Sequence, residues 1–259
     1  MRSVTVSVSL MVLLFAGCQS APERREPTRA ELAQLDLRLG TELATELERR
    51  LSLEKPSDAE VYLRKLALKL IEGAPELKDS PLGVLMFHRK HDQGIADSPI
   101  LGLPGIRIYV SLEYLKAVET ESELAAAIGL ELARVSLRQI PRRIQADAMA
   151  RASAVPTGEP RRPTEGETLD VSLVRPSEDE YTEAIPVAVG LLYRAGYDPR
   201  GLVEYWKRWQ TEASQGVPGE VARRLVSETY RAIASYTPLR NPVVRSKEFL
   251  KLKQLIARI

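Results

Sequence analysis

A chain of 259 residues is long enough for one domain with a tail, and its 37 basic and 35 acidic residues nearly cancel to a formal net charge of +2. That balance creates no field of the strength that points to nucleic acid, which is excluded as a partner. A single cysteine, Cys18, rules out an internal disulfide, and 5% aromatics beside abundant alanine, leucine and arginine favour a helix-rich fold.

Arg2 precedes an apolar run from Val4 to Phe15 that ends in Ala16-Gly17-Cys18. A short charged start, a brief apolar stretch and small residues before a cut describe a secretory signal peptide over 1–17. The run is shorter than the roughly 20 residues that span a bilayer. Ala-Gly-Cys resembles the lipobox of bacterial lipoproteins, in which the cysteine is acylated and becomes the first mature residue. Phe15 departs from the usual leucine. Gln19 after the cysteine resembles the outer-membrane class. This resemblance implies an exported, lipid-anchored protein of the bacterial cell envelope, on the outer membrane and facing the periplasm. Residues 18–29, with Pro22 and Pro27, read as a tether, and 30–259 as one domain.

Leu32, Leu35, Leu39, Leu43, Leu47 and Leu51 recur at three or four residues and predict a helix over 30–53. Ser57-Asp-Ala-Glu60 reads as a capping box for a second helix, which Gly73 and Pro75 stop. A β-prone stretch at 83–89 predicts a strand, and a turn-rich segment with Gly94, Pro99, Gly102, Pro104 and Gly105 follows. Alternation at Ile106, Ile108 and Val110 predicts a second strand. Ser111 caps a short helix, and Thr120 caps a longer one over about 122–138 that persists weakly to Ala152.

Positions 154–177 hold Pro156, Gly158, Pro160, Pro163, Gly166 and Pro176 with few large apolar residues, and read as a mobile loop. Helical periodicity returns from Glu180 to Ala195 across Pro186, a kink position. Gly196 to Pro199 make a C-cap and turn. Helices follow over 201–213, 221–233 and from Lys247 onward.

The helix after Thr120 carries Glu123-Leu-Ala-Ala-Ala-Ile-Gly-Leu130-Glu131-Leu-Ala-Arg134. In a zincin such a helix holds H-E-x-x-H: two imidazoles on one metal, with the glutamate acting on the metal-bound water. Here Leu130 and Arg134 stand at the histidine positions and only Glu131 remains. Leucine has no lone pair, and guanidinium accepts nothing. The order Leu103-Pro-Gly105, strand, helix and Glu-Leu-Ala-Ala helix, followed by Ala195-Gly-Tyr-Asp-Pro199, resembles zinc metallopeptidase family forty-eight, the HtpX, BepA and Oma-type group. The resemblance spans about 57 onward. It implies an α+β, mostly helical, zincin-like scaffold with a small β-sheet, a degenerate active-site helix and a role in protein quality control. It places Tyr181 at the third zinc ligand and Ile185 at a supporting aspartate, and Asn241-Pro242 weakly echoes a His-Pro block.

Glu180 and Glu183 lie close enough that a small register change offers a ligand, but no change restores two histidines. His88 and His91, three apart on a strand, face opposite sides. Glu131 lies three residues before Arg134, the spacing of a helix ion pair, so Arg134 is expected to replace the lost cation, neutralising Glu131 and reaching toward Glu183. Trp206 and Trp209 read as core or groove wall. The leading expectation is a catalytically inactive, metallopeptidase-like lipoprotein without cofactor. It binds polypeptide or an envelope assembly partner, with Ile106, Ile108 and Val110 as the docking strand edge and 154–177 as a lid. One alternative is an active zinc metalloendopeptidase with an atypical site on Glu131, Glu180 or Glu183. The other is a structural outer-membrane lipoprotein.

Overall fold

Leucines at helical spacing, capped at Thr28 by a reciprocal box with Glu31, make α1 (Arg29–Glu48). In the computed structural model of the protein, residues 27–55, 57–78, 80–89, 98–154, 171–212 and 219–259 are described. The apolar N-terminal run, Cys18, His91 and positions 155–170 of the proline-rich stretch lie outside them. Helix α1 stops earlier than its leucine spacing predicts. Leu51 turns inward, and β1 (Ser52–Leu53) pairs antiparallel with His88 and Phe87 of β2 (Gly83–His88).

Between them lies α2 (Asp58–Ile71), whose apolar stripe Leu63, Leu66 and Leu70 is buried. The capping box expected at its start does not form. Ser57 is extended but caps nothing, and Glu60 instead accepts the Met86 amide of β2 at 3.3 Å. The sheet then gains a strand where the sequence suggested only turns, β3 (Ile100–Leu103), and closes with β4 (Arg107–Ser111). Strand order is β1-β2-β4-β3, with β2 and β4 parallel and β3 antiparallel to β4. Ile106 belongs to the β3–β4 turn rather than the strand, because it and Gly105 both adopt positive φ, 54° and 72°.

Ser111 and Thr120 cap α3 (Leu112–Ala117) and α4 (Glu121–Ser136), each accepting the amide three residues on. A left-handed Arg138 (φ 53°) separates α4 from α5 (Gln139–Ala154), which is therefore a distinct helix and not a continuation. After a short 3₁₀ turn, Val171–Val174, come α6 (Glu178–Arg194, Pro186 inside), α7 (Gly201–Glu212), α8 (Gly219–Ile233) and α9 (Lys247–Ile256).

The result is α+β and mostly helical, with α4 at its centre. Every residue of α4 from Glu121 to Arg134 is buried, packed by α6 and α7 on one side and by β3 and α2 on the other. A helix enclosed in this way has to pair its polar side chains, and Glu121, Glu123, Glu131 and Arg134 are each hydrogen-bonded. No helix among the described residues is long and apolar enough to cross a membrane.

Candidate functional site

The site is built on the last turn of α4. Glu131, 1% exposed, turns its Oε2 to the Gly102 amide of β3 at 2.8 Å and to Arg134 Nη1 at 2.5 Å. Gly102 is required for this contact: a Cβ there would fall 2.9 Å from Glu131 Oε2 and 3.0 Å from Glu131 Cβ. Arg134, 3% exposed, fans out from the pair. Its Nε reaches Gln139 Oε1 at 3.2 Å, its Nη2 reaches the Val174 carbonyl at 3.4 Å, and its guanidinium lies over the Tyr181 ring at 5.8 Å. Gln139 passes the connection to α6, donating to the Glu180 carbonyl and to Glu183 Oε2. One guanidinium thus ties α4, α5, α6 and the 3₁₀ turn together.

Burial pushes the Glu131 carboxyl up from its ordinary value, against the Arg134 charge and the Gly102 amide, which pull it down. Burial and the Glu131 charge likewise push the Tyr181 phenol up. Glu183 is held low, chiefly by its hydrogen bond from Arg142 at 2.7 Å. Arg134 therefore neutralises Glu131 directly but reaches Glu183 only through Gln139.

Each residue singled out from sequence now has a surrounding. Leu130 is fully buried in the main apolar core. Tyr181 packs edge-on against Trp206 and Trp209, at 5.2 and 5.6 Å between ring centroids, in a cluster that also includes Tyr205. Both tryptophans are buried, so they are core rather than ligand wall. Glu180 is consumed by the α6 capping box with Ser177, and Arg143 lies 3.5 Å from it. His88 sits between two carboxylates, 2.6 Å from Glu54 and 3.8 Å from Glu113, at the far end of β2. Zinc requires three lone-pair donors converging on one point. Leu130, Arg134 and Tyr181 do not fit it, and among the described residues no His, Cys, Asp and Glu group could hold a metal.

The docking edge expected at Ile106, Ile108 and Val110 is corrected by the sheet. Ile108 and Val110 lie on β4, which is hydrogen-bonded on both sides, and all three side chains are fully buried. An interior strand has no free edge to lend. The outer strand beside β4 is β3, and there Glu131 already holds the Gly102 amide. Val174 packs with Leu101 and Leu103 beside it. Where Gly102, Arg134 and α5 meet, only about 10 Å³ remains open, at the lower limit for one water.

Sequence reasoning missed Gln139 and Val174, whose roles depend on tertiary approach, and the acidic pair at the α4 N-terminus. Glu121 accepts Tyr197 Oη and the Ser246 amide, and Glu123 is paired with Arg208 of α7. Both lie in the first turn, where a helix favours negative charge, a signal legible in Thr120-Glu-Ser-Glu123. The Ala195-Gly-Tyr-Asp-Pro199 block joins the chain near Asn241-Pro242 by a Tyr197–Val243 bridge. Beside that bridge runs a groove of about 470 Å³ walled by Tyr193, Tyr236, Ile233, Pro199, Pro238 and Pro242. Compared with known proteins, the chain matches no family model and no curated sequence.

Proposed function

We propose that this chain is a metallopeptidase-like lipoprotein of the bacterial envelope that binds polypeptide, or a partner in envelope assembly, without hydrolysing it. One observation carries the non-catalytic part: the position a zinc ligand would take is occupied by Arg134, locked to Glu131 in the core. A general base needs a polarised water, and Glu131 instead spends one oxygen on Gly102 and Arg134. The sequence order that resembles the peptidase family supports the zincin-like reading: a strand pair, then a short helix, then a central helix flanked by the helix bearing Tyr181.

The binding part moves away from β4. Its support is the Tyr193–Tyr236 groove, where rings 4.7 Å apart and three prolines form a rigid apolar wall beside both motif remnants. Aromatic and proline walls of this kind suit an extended segment rich in apolar or proline side chains. The alternative of an atypical zinc endopeptidase finds its spare carboxylates, Glu180 and Glu183, engaged in a cap and an ion pair.

Elemental analysis and an unfolded-substrate digest of the purified chain test the first part. The expected result is substoichiometric zinc and no chelator-sensitive cleavage, and one tightly held equivalent of zinc overturns it. A photo-crosslinking residue at Leu239 is expected to capture polypeptide in the envelope, whereas one at Ile108 is expected to capture none. Capture at neither position favours the structural-lipoprotein reading.

A further inference from the structure

Helices α2 and α9 pack side by side and expose one shared face. On α2 the outward residues are Val61, Arg64, Lys65 and Leu68; on α9 they are Lys247, Leu250, Lys251 and Arg258, followed by Ile259. Val61, Leu68, Leu250 and Ile259 are 53%, 46%, 52% and 45% exposed, four of the nine large apolar side chains that protrude among the described residues. The five cations among them form no ion pair among the described residues, although Asp58 and Glu248 lie in the groove between the helices.

We propose that this α2–α9 face lies on an anionic phospholipid bilayer. Unpaired cations provide charge complementarity to anionic headgroups, and apolar side chains set among them enter the headgroup boundary, the composition of an interfacial surface. An acidic protein partner is the competing occupant, and binding to polyglutamate without binding to vesicles would reveal it. The start of the fold agrees with this orientation. Arg29, at the first turn of α1, donates to the Pro75 carbonyl just beyond the C-terminal end of α2, so the first described turn of the fold lies at that end of the face. Only this orientation argument rests on the N-terminal lipid anchor proposed above.

The test separates the two. Full-length protein carrying Cys18→Ser, and so without an acyl chain, is sedimented with phosphatidylcholine vesicles alone or with phosphatidylglycerol added. The expected result is stronger partition to the anionic vesicles, lost as salt is raised. Lys251→Glu lowers it by at least roughly fivefold, and K65E/K247E/K251E/R258E abolishes the preference for anionic lipid. Arg223→Glu, on the exposed side of α8, leaves it unchanged; circular dichroism verifies that each variant is folded. Equal binding to both vesicle types, an equal loss with Arg223→Glu, or binding to polyglutamate with none to vesicles overturns the proposal. Failure of lipid anchoring would appear instead as wild-type protein in the soluble fraction of cells, with the vesicle result intact.

Discussion

Glu131 and Arg134 are held in a setting where either alone would be a liability. An unpaired buried charge costs about 3–5 kcal/mol, whereas replacing both partners with neutral residues of similar size is often near neutral. Arg134→Met is therefore expected to destabilise the fold by that amount in denaturant titration, and E131Q/R134M by less than the single change. Stability adding up independently across the two substitutions would disprove the coupling. The pH dependence has a definite sign. A carboxyl whose folded pKa is raised favours the folded state when protonated, so its stabilising contribution is present below about 4.5 and is lost as pH rises through the folded value. Removing Arg134 deletes the largest influence that opposes this rise. The destabilisation of Arg134→Met should thus be greater at neutral pH than in acid, and Glu131→Gln should lack that trend.

At the scale of elements, β4 is the sheet's spine. Ile108 faces Val84 across a parallel pairing and Gly102 across an antiparallel one. Ile108→Pro removes a donor and inserts a ring in the sheet interior, so loss of folding at a cost of about 3 kcal/mol or more is expected, visible as insoluble or non-cooperatively melting protein. A folded, cooperative variant would place the strand at an edge after all. Helices α2, α4 and α6 were legible because a three-and-four apolar rhythm is a local signal, joined at α4 by the Thr120 cap; the cap read at Ser57 for α2 does not form. Strand β3 was not, because its four residues are all buried and so show no alternation, and the glycine and prolines around it read as turn. The Glu60 misreading has a similar cause: the glutamate that spacing assigned to a cap found the β2 backbone instead. In the site, the Glu131–Arg134 pair was readable from spacing, while Gln139 and Val174 depend on chain reversals that no local pattern encodes.

Across the whole molecule, α1 packs the smaller apolar cluster, centred on Leu43, Leu47, Phe87 and Tyr109, against the sheet, and crosses the β3–β4 turn at Gly40. Gly40 is the closest approach: a Cβ there would lie 1.8 Å from the Pro104 carbonyl oxygen. Helix propensity alone makes Gly→Ala favourable by up to about 1 kcal/mol, whereas forcing α1 off the turn should cost about 1–3 kcal/mol, so the sign of the measured change decides which governs. Destabilisation is expected, and a more stable Gly40→Ala would show that α1 is loosely docked.

The Arg134 junction also restricts how this chain can change. Histidine at 134 strips Glu131 of its counter-charge; histidine at 130 puts an imidazole among core side chains; glutamate at 181 sets a second carboxylate near Glu131, inside an aromatic cluster. Each step weakens the fold by itself, while metal affinity arises only when all three donors are present. Stepwise substitution toward a metal centre is uphill until its last move. Stability, acting as a ratchet, keeps the chain where it is.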